Sequence, residues 1–124
     1  MDNVNKDLVW DLTQLAFLTS FSGNPEKAII IFEGLDVVYE NNTGIKSGLA
    51  MSYFFSGKFK EAISLYRNNI LITEPQNYDA RCFLGMALWE VGEKEEAKNL
   101  VEDALKHGDE DVKIISQSFL DNMK

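Results

Sequence analysis

Residues 84–97 read Leu84-Gly85-Met86-Ala87-Leu88-Trp89-Glu90-Val91-Gly92-Glu93-Lys94-Glu95-Glu96-Ala97. Gly85 precedes Gly92 by seven residues, and Ala97 follows it by five. The same spacing occurs twice upstream, in Ala50, Gly57 and Ala62 and in Ala16, Gly23 and Ala28. A leucine precedes each small residue (Leu15, Leu49, Leu84), and Phe32, Tyr66 and Val101 lie four residues past each alanine. The step is 34 residues from Gly23 to Gly57 and 35 from Gly57 to Gly92. Five positions recurring in phase three times define an internal repeat, and a period of this size points to stacked helical units.

The physics of the unit is that of a helical hairpin. Small residues let two antiparallel helices approach closely, while leucines and aromatics fill the space around them. The glycine ends the first helix because it enters the left-handed region without strain. Asn24-Pro25-Glu26 then supplies a helix N-cap, a first helical residue and an acidic first turn. The pattern predicts helices over about 6–21, 25–40, 44–56, 59–73, 77–91 and 94–107, with a seventh over about 112–123 after the polar break Gly108-Asp109-Glu110-Asp111.

A chain of 124 residues, 45% hydrophobic, suits one domain spanning 1–124. Twelve basic against 20 acidic residues give a net charge of −8 and argue against nucleic acid and anionic membrane as partners. The longest apolar run, Ala28 to Phe32, is too short to insert into a membrane, and the polar start lacks a signal peptide. Cys82 is the only cysteine, so a reducing, cytoplasmic location is expected. With His107 the only histidine, no site with the usual nitrogen and sulfur metal ligands can be built, and a Cys82–His107 nucleophilic pair is not expected. No glycine-rich phosphate loop or tuned carboxylate pair is visible, so the sequence predicts a non-enzymatic protein without catalytic residues, metal or cofactor. Between Glu93 and Asp111, eight acids face three lysines. That run reads either as a solvated helix face or as a field that steers a basic partner.

The pattern resembles the tetratricopeptide repeat, a helix-turn-helix unit of 34 residues. The third copy matches at Leu84-Gly85, Gly92, Ala97 and Ala104. The second matches at Leu49, Tyr53, Gly57, Ala62, Tyr66 and, one residue late, Pro75; the first matches at Leu15, Ala16, Gly23, Ala28 and Phe32. Lys46 and Arg81 depart from the family's large residue, and Asn69 departs from its second alanine. The resemblance implies an all-α fold, a right-handed α-solenoid of three hairpins (about 9–41, 43–76 and 78–111) closed by a C-terminal capping helix (about 112–123).

In that family the first helices of the hairpins line a concave groove. The resemblance places Phe17, Phe21, Met51, Phe54, Phe55, Cys82, Met86 and Trp89 there as the partner-binding residues. Such an apolar, methionine- and aromatic-rich face suits an amphipathic helix or an extended apolar segment. Thr13, Phe17, Ser47 and Met51 stand where some family members clamp a carboxylate with lysine and asparagine, so no such clamp is expected. Two other readings stay open. Aromatics at helical spacing are core residues in many helices, and the last helix could fold back over part of the groove. Phe54 and Phe55, being adjacent, cannot both face one core. Ile30, equivalent to Ser64 and Asn99, is expected to face outward and to form a second contact patch with Val37 or Val38.

Three repeats, a short chain, low pI and an apolar groove resemble the small chaperones that guard the needle subunit in bacterial type III secretion. That resemblance implies a virulence-associated chaperone in the cytoplasm of a Gram-negative bacterium. Its groove would hold an amphipathic helix of the needle subunit and keep that subunit soluble and unpolymerised, with a second small co-chaperone alongside in a hetero-oligomer. Translocator chaperones share the repeats but add an N-terminal helical arm, for which a first repeat starting near Val9 leaves no room. The alternatives are such a translocator chaperone or a scaffold module linking folded proteins.

Overall fold

Gly23, Gly57 and Gly92 all adopt left-handed backbone, with φ of +88°, +83° and +93°. Behind Gly57, its own N–H donates to the Phe54 carbonyl, and the Lys58 N–H reaches back to Tyr53 at 2.8 Å. Gly92 and Glu93 repeat this pair of bonds to Trp89 and Leu88. The two bonds satisfy the last carbonyls of each helix, and they form because glycine turns the chain left-handed there.

The computed structural model describes residues 23–123. Among them α1 is Pro25–Val38 and α2 is Thr43–Phe55. Helix α3 begins as Phe59–Leu65, continues through a π-helical stretch, Tyr66–Ile70, and closes with Leu71–Thr73. Helices α4, α5 and α6 are Tyr78–Glu90, Lys94–His107 and Glu110–Asp121, and no described residue lies in a strand. The helix expected over 6–21 falls outside the described residues. Asn24, Asn42, Asn77 and Asp109 each cap a helix by accepting from the backbone N–H three residues on, at Lys27, Ile45, Ala80 and Val112.

The chain divides into two compact units, Met1–Lys58 and Phe59–Lys124. In the first, α1 buries Ala28, Ile29, Phe32 and Leu35, and α2 buries Ile45, Gly48, Leu49, Ala50 and Ser52. The Phe32 ring seats on Gly48, where an added Cβ would lie 2.3 Å from the ring. Lys46 reaches back to Asp36 at 2.8 Å, which accounts for a charge where the repeat usually places a large apolar residue.

In the second unit α4 and α5 form the hairpin that the quoted stretch predicts. Gly85 lies so close to α5 that a Cβ there would sit 2.7 Å from Val101 Cγ2 and 3.0 Å from the Ala97 carbonyl oxygen. Arg81, the other departure at the large position, pairs with Asp103 at 2.9 Å and donates to the Pro75 carbonyl.

The π-helical stretch explains the irregular repeat step. Helix α1 buries Ala28, Phe32 and Leu35, and α5 buries Ala97, Val101 and Ala104. Both follow spacings of four and then three. Helix α3 instead buries Ala62, Tyr66 and Ile70, with one extra residue before the last. A π turn is the device by which a helix absorbs a single inserted residue. It turns Asn69 out to solvent and puts Ile70 in its place, so the step lengthens to 35 and Pro75 comes one residue late.

Candidate functional site

Helix α2 is apolar beyond its buried face. Met51 and Phe54 are half-buried, and Phe55 is 44% exposed at the last helical residue. The Phe54 and Phe55 rings meet edge to face, with centroids 5.4 Å apart. The expectation that these neighbours could not share one core holds in the first unit, where Phe55 reaches solvent. Phe17 and Phe21 lie outside the described residues.

In the second unit the corresponding residues of α4 meet α6. Cys82 is 1% exposed and forms a buried cluster with Ala104 and Val112, against which Tyr78 and Met86 pack. Ser116 Oγ of α6 donates to Cys82 Sγ at 3.3 Å, and the Cys82 thiol in turn approaches Met86 Sδ at 4.0 Å. Phe119 stands edge-on to Trp89 with centroids 6.1 Å apart, while the Lys94 ammonium sits 4.6 Å over the same indole. The last helix therefore packs over this face of α4. Cys82, expected on an open groove, is instead buried under α6, because Val112 and Ser116 of that helix pack onto it. Met86 and Trp89 remain half-buried beside the same helix.

The ionisable groups here are held quiet rather than activated. Burial pushes the Cys82 thiol up and the Asp79 charge pushes it further, while the Ser116 hydrogen bond partly offsets both. A protonated thiol is a poor nucleophile. The Tyr66 hydroxyl is buried with no hydrogen-bond partner among the described residues, and burial drives its ionisation far above the usual phenol range. Desolvation raises Asp79 as well, with the carboxylates of Asp109 and Asp111 adding to the shift. His107 lies exposed at the end of α5, 5.8 Å from the Tyr78 ring and 3.8 Å from Asp103. Among the described residues no group of three or more His, Cys, Asp or Glu is placed to hold a metal ion.

On α1, Ile30, Val37 and Val38 are exposed to 69%, 77% and 58%, as the comparison of Ile30 with Ser64 and Asn99 predicts. The contacts of Ser116 and Phe119 with α4 were not anticipated. Their signal is the spacing Val112, Ser116, Phe119, a helical stripe whose partner the sequence does not name.

Antiparallel helix pairs with small-residue seams, left-handed glycine turns and a closing helix define a helical-repeat protein. The family model described as Tetratricopeptide repeat matches residues 53–115, just over half of the chain, and the chain belongs to that family. No curated protein sequence matches it. Among solved structures, the type III secretion chaperone SycD of Yersinia enterocolitica, in complex with a peptide of the translocator YopD, is similar with a TM-score of 0.78 and 21% identity, covering 98% of this chain and 96% of that one. PcrH of Pseudomonas aeruginosa matches with a TM-score of 0.79 and 15% identity, over 95% and 92% of the two chains. PcrH also occurs in complex with the chaperone binding regions of PopB and PopD. The Sgt2 tetratricopeptide domain of Aspergillus fumigatus matches with a TM-score of 0.74 and 18% identity, over 91% and 77%. At such identities the likeness establishes the fold, which resembles that of the type III secretion chaperones. No described helix is long and apolar enough to cross a membrane.

Proposed function

We propose that this protein is a non-enzymatic, cytoplasmic chaperone of a type III secretion system that holds an apolar segment of a translocator subunit. The observation that carries the reading is the apolar face of α2, with Phe55 44% exposed and Phe54 and Met51 beside it. Contiguous apolar surface of this kind, rather than a single exposed side chain, is what marks a surface for a protein partner. The names of SycD and of the PcrH complexes favour a translocator client over the needle subunit. In this reading residues 1–124 act as one domain. In the first unit Phe17, Phe21, Met51, Phe54 and Phe55 make the contacts; in the second, taken by itself, Met86 and Trp89 contribute beside α6, and Cys82 packs beneath Met86.

The mechanism is capture by burial. A secreted subunit kept unfolded exposes apolar side chains, and docking removes them from water. At about 25 cal/mol per Å², a few hundred Å² of apolar surface contributes several kcal/mol before the costs of association and ordering.

Co-expression with a translocator subunit, and separately with a needle subunit, tests the proposal. The translocator should stay soluble and co-purify with this chain, and Phe55→Asp should abolish that while the helical circular dichroism is retained. A translocator that is soluble without this chain would favour the scaffold reading. Protection of the needle subunit alone would restore that subunit as the client.

A further inference from the structure

Asp79, in the first turn of α4, is a carboxylate without a counterion. It makes no hydrogen bond or ion pair with a described residue. Burial pushes its ionisation up, and the carboxylates of Asp109 and Asp111, at the start of α6, push it further. The cations on the surrounding elements are engaged elsewhere. Arg81 of α4 is held by Asp103 and the Pro75 carbonyl, and Arg67 of α3 pairs with Glu96. His107 of α5 lies beside Asp103 and the Tyr78 ring, and Lys113 of α6 lines a separate cleft with Leu105 and Ile114. A partly buried charge left unpaired opposes folding, and such charges gather where a protein binds or reacts.

Asp79 lines an open recess of about 570 Å³ with Glu74, Pro75, Gln76 and Asn77, where α3 turns into α4. Two of the five are acids and none is a cation. The Asn77 side chain is occupied, accepting from the Ala80 N–H as the cap of α4 and donating to Glu74 Oε1. Behind the recess lies Tyr66, 1% exposed, whose hydroxyl has no hydrogen-bond partner among the described residues. After burial itself, Cys82 and Asp79, one turn apart on α4, are the groups that raise its ionisation. The hydroxyl therefore points at the turn that carries Asp79. A buried hydroxyl without a partner costs stability, as the unpaired carboxylate does. Two such groups on one turn of helix mark a place that something outside the chain completes. A metal ion does not fit, because no three metal-binding side chains among the described residues converge on one point. Carboxylates spread around a recess suit an organic cation with several N–H donors.

We infer that this recess receives a basic side chain, lysine or arginine, of a protein partner, with Asp79 as its counterion and the Tyr66 hydroxyl behind Asp79 to hold that carboxylate in place. This names the charge of the client in the function proposed above and rests on that reading for the source of the cation. A cation arriving here relieves the repulsion among Asp79, Asp109 and Asp111, so binding recovers what folding gave up.

Calorimetry of the full chain with a 12-residue leucine–arginine peptide tests the inference, beside a version with citrulline, a neutral mimic of the same shape, at each arginine. The arginine peptide should bind at least tenfold more tightly and weaken as salt rises. Asp79→Asn should weaken it at least fivefold while raising thermal stability, and Tyr66→Phe should weaken it at least twofold without lowering stability. Glu95→Gln, which removes one exposed charge from α5, should change the affinity less than twofold. Spermidine should bind at least tenfold more weakly than the peptide. Absence of peptide binding, equal affinity for the citrulline version, or equal losses in Asp79→Asn and Glu95→Gln would overturn the inference. Tighter binding of spermidine would overturn it too, since the ligand would then be a free polyamine. Any of these results beside an intact translocator complex would sink the recess alone. The expected peptide results beside a translocator that is soluble without this chain would sink the client reading and leave the recess as a site for basic segments of another protein.

Discussion

Ser116 Oγ donates a hydrogen bond to Cys82 Sγ at 3.3 Å, joining α6 to α4 across 34 residues of sequence. Both side chains are buried, so neither group could forgo its partner cheaply. With Phe119 against Trp89 farther along, the contact decides that α6 covers α4 instead of leaving Cys82 on an open face.

Cys82 should therefore react slowly with a thiol reagent in the native protein and at once in denaturant. Val112→Ala, which thins the same cluster, should speed native labelling severalfold by making α6 open more often. Phe119→Ala should leave Cys82 largely protected but shift Trp89 fluorescence to the red. Labelling of native wild type at the denatured rate would mean that α6 does not cover Cys82 in solution.

Two glycines should respond oppositely to the same substitution. Gly48→Ala drives a methyl group into the Phe32 ring, and overpacking of this kind costs about 1–3 kcal/mol. Gly34→Ala meets open space and should stabilise α1 by about 0.5–1 kcal/mol through helix propensity. Chemical denaturation of both variants at low protein concentration measures the difference.

Removal of one residue should be tolerated in α3 and nowhere comparable in α5. Deleting Asn69 returns the step to 34 residues, turns the π stretch into ordinary helix and brings Ile70 to the family's small-residue position. The variant should keep its helical circular dichroism and a cooperative thermal transition. Deleting Asn99 instead swings Val101 and Ala104 about 100° around α5, away from the core, and should abolish cooperative unfolding.

Asp79→Asn should raise stability modestly at neutral pH. The folded state holds the Asp79 proton more tightly than the unfolded chain does, first by desolvation and then through Asp109 and Asp111. Ionisation therefore opposes folding. The cost is fully present above the raised folded value, shrinks as pH falls toward the ordinary carboxylate value, and vanishes below it. The advantage of Asn should disappear over that window in thermal melts, and added salt should reduce it, because Asp79 is solvent-accessible. An advantage that persists at low pH would place its cause elsewhere.

The repeat was legible because its signals are local. Gly57 and Gly92 announce left-handed turns, Asn24 and Asp109 announce helix starts, and Ala97-Val101-Ala104 announces a buried stripe, each through forces acting within one turn of chain. The same logic foresaw an outward Ile30, since Ser64 and Asn99 marked its position as polar. It could register Asn69 and the late Pro75 only as irregularities. A single inserted residue can be absorbed at several points of a helix, and packing around Tyr66 and Ile70 determined that it is taken up there.

By itself, then, the sequence determined an all-helical repeat protein, the limits of its described helices to within about two residues, and its membership of the tetratricopeptide family. Only the tertiary structure decided which apolar side chains stay in contact with solvent. Cys82 and Phe55 were candidates for the same face, yet one is buried and the other is not. Exposure depends on which distant element comes to rest over a residue. The covering groups on α6, Ser116 and Phe119, lie 30 or more residues from their partners, and no periodicity along the chain specifies that distance in space.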